Sequence, residues 1–334
     1  MARIVCLSLL LCLTACSLPP TGSSVAEAAQ VSAGSGHPEP VRLWTDAGIF
    51  QLVGNLIRTA RKRVLVEVYE LGREDIIEAL AAARGRGLDV RVITDPTVAA
   101  SRKSATQLDR LGVLERVYPV DDAVFQIDHV KLLIADSVAA VGGMNWGAHS
   151  DRNHDYVLET RVTAELLRLT QIFEQDWSLA GGEPRPLSAA RGAIAQTAPG
   201  QEIRAMLESA LNLVTRRAWA EVYTLTDPAL IAALVDAHRR GASVRVLLDP
   251  NQAYNRRGFG LLGAGGVEVR WYPVPRGALL HAKIGLFDGT LILGSANWTL
   301  SGLDSNHELD IETDDPNAVE TYASRFELDW GAAA

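Results

Sequence analysis

The chain has 334 residues, 48% hydrophobic and 22% charged, which is globular composition and excludes a disordered or collagen-like chain. At roughly 100–200 residues per domain, the length suggests two domains. A formal net charge of −8 argues against a nucleic-acid binder held by bulk positive charge, while leaving room for a local basic groove.

Met1 to Cys16 reads as an export signal. Arg3 supplies a positive start, and Ile4 to Leu13 is an apolar run. At about ten residues that run is too short to span a bilayer, which needs roughly 20. It ends in Leu13-Thr14-Ala15-Cys16, which resembles the bacterial lipoprotein cleavage box. The resemblance implies lipidation of Cys16 and a membrane-anchored protein of the cell envelope; an ordinary signal peptide cut a few residues later is the competing reading. The three cysteines are Cys6, Cys12 and Cys16, so an exported mature chain would hold no internal disulfide. Residues 17–40, rich in Ser, Gly, Ala and Pro, read as a flexible tether.

The remainder is one unit written twice. Glu67-Val68-Tyr69 recurs as Glu221-Val222-Tyr223, and Arg91 to Pro96 as Arg245 to Pro250. Tyr118-Pro119-Val120 recurs as Tyr272-Pro273-Val274, His129-Val130-Lys131 as His281-Ala282-Lys283, and Asp176-Trp177 as Asp329-Trp330. A repeat of this length means a duplicated domain, not a solenoid. We assign residues 41–182 to the first domain, 183–200 to a linker and 201–331 to the second. Val64 to Leu71 reads as a strand, Asp75 to Arg84 as a helix and Asp89 to Thr94 as a strand; Trp219 to Leu225, Pro228 to Arg239 and Ser243 to Leu248 repeat the series. Later in each copy come two strands joined by a tight turn; Lys283 to Phe287 runs into Asp288-Gly289, and Thr290 to Gly294 returns. The expected fold is α/β, with a mixed sheet and flanking helices in each half.

The chemistry sits on these hairpins. The first carries His129, Lys131, Asp136, Gly142, Gly143 and Asn145; the second carries His281, Lys283, Asp288, Gly294, Ser295 and Asn297. The only lysines besides the motif pair are Lys62 and Lys103, so a lysine in each motif is not an accident of composition. On a strand, residues i and i+2 share a face. Each His therefore points with its Lys, and two facing hairpins would gather two imidazoles, two ammonium groups and two carboxamides around an anionic phosphate. Asp136 and Asp288 sit at turns, where aspartate bonds locally to backbone; we assign them a structural role.

The doubled H-x-K-x4-D with its downstream G-[GS]-x-N resembles the phospholipase D superfamily over nearly all of residues 41–331. The resemblance implies two similar halves about a pseudo-twofold axis, one active site between them, and phosphodiester cleavage or transfer through a covalent phosphohistidine without metal or other cofactor. It implies His129 as nucleophile and His281 as acid/base, with the order weakly determined. It also implies that an acid after each motif holds the catalytic imidazole, a role carried to Asp155 and Glu308. Gly143 departs from the pattern where Ser295 keeps it, leaving the first half without a hydroxyl. Asp128 alternates with His129 and reads as non-catalytic.

The expected substrate is a phospholipid, through phospholipase D action. A cardiolipin synthase-like phosphatidyltransferase and an extracytoplasmic nuclease are the alternatives, and intact motifs in both halves argue against a binding module with a dead site. One chain carries both motifs, so a monomer suffices. Glu67 and Glu221 lie inside apolar strands and either reach the site or form core ion pairs. Trp146 and Trp298 read as packing. Asn255-Arg256-Arg257 reads as a solvated loop, with headgroup or nucleic-acid contact as the alternative. A lysine in each motif fits poorly beside a catalytic metal cation.

Overall fold

A computed structural model describes residues 40–186, 192–198 and 200–333. The expected export signal, Cys16 and nearly all of the tether lie outside these residues. Among the described residues, no helix is long and apolar enough to cross a membrane.

The first half runs β1 (Val41–Thr45), α1 (Gly48–Thr59), β2 (Arg63–Val68), α2 (Glu74–Gly85), β3 (Asp89–Thr94), α3 (Ala99–Arg110), β4 (Leu114–Val117), β5 (Lys131–Ala135), β6 (Val138–Gly142), β7 (Tyr156–Thr160) and α4 (Thr163–Ala180). The second runs β8 (Ile194–Thr197), α5 (Glu202–Leu213), β9 (Arg217–Val222), α6 (Pro228–Arg239), β10 (Ser243–Leu248), α7 (Asn255–Ala264), β11 (Glu268–Trp271), β12 (Lys283–Phe287), β13 (Thr290–Gly294), β14 (Glu308–Thr313) and α8 (Pro316–Ala332). Each half builds a seven-stranded mixed sheet, ordered β1-β7-β6-β5-β2-β3-β4 and β11-β10-β9-β12-β13-β14-β8. The strand–helix–strand units pair in parallel, β2 with β3 and β9 with β10. The hairpins β5–β6 and β12–β13 pair antiparallel and join the parallel part through β2 and β9. The expected α/β fold of two similar halves is what the chain adopts.

The linker expectation needs correction. Residues 194–197 form β8, which pairs antiparallel with β14, just as β1 pairs with β7. The second half therefore begins at 194, not 201. The short Ile194-Ala195-Gln196-Thr197 segment is hidden among prolines and small residues, and ladder bonds to β14 override that local composition.

Apolar side chains explain how the halves are held. Leu65, Leu132, Ile134, Val141 and Leu158 from the first sheet share one core with Ile284, Leu286, Leu291, Leu293 and Ile311 from the second. Alternate residues on the same strands face outward: Val64, Val66 and Leu133 pack under α1 and α2, and Ala218, Ala220 and Ile292 belong to the matching core under α5 and α6. Each sheet is thus buried on both faces, which requires the nearly continuous apolar runs seen in these strands. Burial at about 25 cal/mol per Å² makes the shared core the main cohesion between halves.

Two aspartates set the hairpin turns. Asp136 and Asp288 have φ of +52° and +53°, a left-handed conformation that Asp tolerates better than most residues. The Asp136 carboxylate accepts the backbone N–H groups of Arg61, Lys62 and Arg63; Asp288 accepts those of Thr215, Arg216 and Arg217. Each therefore ties a hairpin to the start of the neighbouring strand. Trp146 and Trp298 are buried in the outer cores.

Candidate active site

The segments ahead of the two motifs reach across to the opposite half. The His129 amide donates to the His307 carbonyl, and the His307 amide to that of Ile127. The His281 amide donates to the His154 carbonyl, and the His154 amide to that of Leu279. These short parallel bridges set each motif histidine beside an acid from the other half. His129 Nδ1 lies 2.8 Å from Glu308 Oε2, and His281 Nδ1 lies 2.8 Å from Asp155 Oδ2. With Nδ1 as donor to a carboxylate, Nε2 faces the reacting centre; in His281 the Lys283 ammonium also stands 2.9 Å from Nδ1 and 3.2 Å from Nε2.

Both histidines and both lysines are buried. Lys131 Nζ donates to the His129 carbonyl and Lys283 Nζ to that of His281. Each ammonium also lies 5.1 Å from an aromatic ring centroid, Tyr69 for Lys131 and Tyr223 for Lys283. Those tyrosines also pack on the motif imidazoles at 4.8 and 4.7 Å. Burial pushes Lys131 down to about 7, against the pull of Glu308, and Lys283 down to about 8, against Asp155. Burial lowers His129 to about 4, again against Glu308. Burial and the two lysines hold His281 well below its usual value. Among the described residues, Oδ1 of Asn145 and of Asn297 is buried without a hydrogen-bond partner.

The two acids are not equivalent. Burial would raise Glu308, but His129, Lys131 and the Ser295 hydroxyl outweigh it and keep its pKa low. Glu308 accepts from Ser295 Oγ at 2.5 Å and from Asn306 Nδ2 at 3.0 Å. Burial raises Asp155 to about 7 despite Lys283; besides His281, it accepts the Tyr156 amide. The glycine at 143 now has a physical reason. A Cβ there would stand 2.5 Å from Asp155 Oδ1, so the space filled by the serine hydroxyl in one half is filled by the carboxylate in the other.

Other repeated residues buttress the site, and their recurrence in both copies was the available signal. Asp95 accepts the Asp128 amide at 2.7 Å, and Asp249 accepts the Leu280 amide at 2.7 Å. They fix the segments that deliver the histidines. Asn255 is buried, not a solvated contact residue: its side chain bonds the Leu225 amide and the carbonyls of Tyr223 and Asp249. Asp128 is fully buried and lies with Glu67, Asp176 and His307, away from the reacting face. Glu67 and Glu221 do not enter the centre either. Each faces the histidine that precedes an orienting acid: Glu67 Oε1 is 3.3 Å from His307 Nε2, and Glu221 Oε2 is 3.2 Å from His154 Nε2.

Glu67, Asp176 and His307, and likewise His154, Glu221 and Asp329, bring potential metal-ligand atoms within 4.8 Å of one another. However, His307 Nδ1 bonds the Ala198 carbonyl and Nε2 faces two carboxylates. His154 Nδ1 bonds Asp46, and its Nε2 faces Glu221 and Asp329. Arg325 Nη2 also stands 3.1 Å from His154 Nδ1, so both nitrogens of each ring are already partnered and neither is free for a metal.

A cleft of about 620 Å³ draws on both halves, with Glu70, Asn153, Asn251, Gly277 and Leu279 in its wall. Asn153 and Leu279 each stand two residues before a residue of the His281–Asp155 pair.

The family described as "Cardiolipin synthase, PLD-like domain" matches residues 53–177 and, again, 204–330. The chain belongs to this PLD-like family. The mitochondrial cardiolipin hydrolase of Xenopus laevis is 38% identical over 111 residues, 33% of this chain and 52% of that protein; the chain thus spans about half the length of that relative. The probable cardiolipin synthase YwiE of Bacillus subtilis is 24% identical over 314 residues, covering 82% of this chain and 62% of that one. Among solved structures, the phosphatidylserine synthase of Haemophilus influenzae aligns over 87% of this chain and 85% of its own, with a TM-score of 0.67 and 14% identity. A polyphosphate kinase from Porphyromonas gingivalis aligns over 87% of this chain and 50% of its own, with a TM-score of 0.64 and 16% identity. These two structures share the fold.

Proposed function

We propose that this chain cleaves a phospholipid phosphodiester as a phospholipase D, through a phosphohistidine and without metal at the reacting centre. The reading is carried by the two reciprocal pairs, His129 with Glu308 and His281 with Asp155, each 2.8 Å and flanked by a buried lysine.

Neutral His129 attacks phosphorus with its Nε2 lone pair. As the N–P bond forms, the bond from phosphorus to the headgroup oxygen breaks, and His281 gives that oxygen its Nε2 proton. In the second step His281 takes a proton from water, the water oxygen bonds to phosphorus, and the N–P bond returns its electrons to His129. Lys131 and Lys283 offset charge on the non-bridging oxygens. His129 is assigned as nucleophile because its partner Glu308 stays ionised, which supports the positive charge that the imidazole gains on phosphorylation. His281 is held low partly by the lysines. A phosphate anion seated between them removes that repulsion, so His281 gains its proton as substrate binds.

An alcohol in place of water would make the same site a phosphatidyltransferase. The match to a probable cardiolipin synthase over 82% of this chain supports that second reading. Cys16, with its lipoprotein-like box, would anchor the enzyme to a membrane; two or more acyl chains make such an anchor stable.

The test is incubation of the tether-free protein with mixed phospholipid vesicles and ethanol, with His129→Ala as control. Phosphatidic acid or phosphatidylethanol, absent from the control, is the expected product. Cardiolipin formation from phosphatidylglycerol favours the transferase. Folded protein that leaves every lipid intact but degrades DNA overturns the lipid reading.

A further inference from the structure

His154 and His307 are buried, repeat-related and unused by the chemistry. Each is given by one half to an acid pair of the other. His307, from the second half, lies 3.3 and 3.2 Å from Glu67 and Asp176 of the first, stacked on Tyr118 at 4.5 Å. His154, from the first half, lies 3.2 and 3.4 Å from Glu221 and Asp329 of the second, stacked on Tyr272 at 5.1 Å. The next residue in each case is the acid that holds a motif imidazole: Asp155 after His154, Glu308 after His307. The backbone carbonyl of each of these histidines also accepts the amide of a motif histidine.

We propose that His154 and His307 are positioning residues, reciprocal latches whose seating in the opposite half fixes the register of Asp155 on His281 and of Glu308 on His129. This rests on the reading that His129 and His281 carry the reaction. A side chain anchored at both ring nitrogens cannot rotate, so the peptide that follows is fixed in place. The same peptide places the orienting carboxylate, where a shift of about 1 Å can cost on the order of 100-fold in rate. The latch also explains why Glu67 and Glu221, fully buried in apolar strands, are present in both copies.

The charges facing each latch differ. Around His154 are Asp46, Glu221, Asp329, Arg325, Tyr156 and Tyr272. Around His307 are Glu67, Asp176, Asp128 and Tyr118, with the Ala198 carbonyl in the place that Asp46 takes on the other side. Burial works against charge on His154, but Glu221 and Asp46 outweigh it and raise it to about 10. Burial likewise works against charge on His307, but Tyr118 and Asp176 outweigh it and hold it well above its usual value.

The test uses the full chain with ¹⁵N-labelled histidine and the variants Glu221→Gln and Glu67→Gln, which replace the carboxyl by an amide and keep shape. His129→Gln and His281→Gln assign the Nδ1 protons of the two motif histidines. Glu221→Gln should shift the His281 Nδ1 proton and leave that of His129 in place; Glu67→Gln should do the reverse. Turnover of bis(p-nitrophenyl) phosphate should fall about 10- to 100-fold in kcat with little change in KM. Variants that move both Nδ1 signals alike, or neither, overturn the proposal, since general loosening or a purely local role would do that. Asp329→Asn reports on the same latch if Glu221→Gln fails to fold. A wild-type chain that turns over no diester, while the two signals still move selectively, would sink the functional reading and leave the latch standing.

Discussion

Glu308 and His129 come from opposite halves of the chain and meet at 2.8 Å. Neither half holds both the imidazole and the carboxylate of a motif-histidine pair. The pair resembles the carboxylate–histidine element of serine hydrolases, where removing the acid's charge allows the wrong tautomer and lowers kcat about 10⁴-fold. Glu308→Gln should lower kcat by about 10³- to 10⁴-fold on that scale, with an unchanged thermal transition. Steady-state kinetics beside calorimetry decides this; wild-type kcat in the variant would remove Glu308 from the mechanism.

Ser295 and Gly143 occupy related positions with opposite demands. Ser295→Gly deletes a hydrogen bond to ionised Glu308, about 1.5–3 kcal/mol, or roughly 10- to 150-fold in kcat. Gly143→Ser adds atoms where Asp155 already lies, since its Cβ alone would stand 2.5 Å from Oδ1. The carboxylate must leave His281, so the loss should be at least as large as for Ser295→Gly. Activity gained on restoring the serine would show that the first half is merely degenerate.

Periodicity and doubling made much of this readable beforehand. His129-x-Lys131 and His281-x-Lys283 announce the chemistry, and Asp288-Gly289 announces the hairpin that carries it. The exchange of partners was not readable, because it depends on how two sheets pack and not on spacing along either one. Glu67 and Glu221 illustrate the limit: an acid within an apolar strand signals a buried partner, but the partners are histidines 240 and 67 residues away in the chain. The strand 194–197 escaped because four residues carry too little pattern.

Asp288 provides a test of stability apart from chemistry. Its carboxylate takes three backbone N–H groups at a φ of +53°. Asp288→Ala hands those donors largely to water and puts an alanine in left-handed conformation, costing about 0.5–1.5 kcal/mol for the bonds and about 1–2 for the backbone. The thermal midpoint should fall by several degrees, while kcat per folded molecule stays near wild type. Asp288→Asn should recover part of the loss. An intact midpoint with abolished turnover would instead make Asp288 part of the reaction.

The pH profile follows from which form of each group the chemistry needs. His129 must be neutral to attack, and its pKa is lowered to about 4, so activity falls as pH drops through about 4. Lys131 and Lys283 must be charged to hold the phosphate, and burial lowers them to about 7 and about 8. Activity therefore falls again as pH rises through that range. With substrate bound, where His281 holds its proton, the expected kcat profile is a bell with its plateau between these limits, whose apparent values belong to the coupled set. Lys131→Arg keeps its charge well above pH 10, so the variant's residual activity should lose less on the alkaline side. An alkaline limb unmoved by that substitution would assign the limb to Lys283 or to His281.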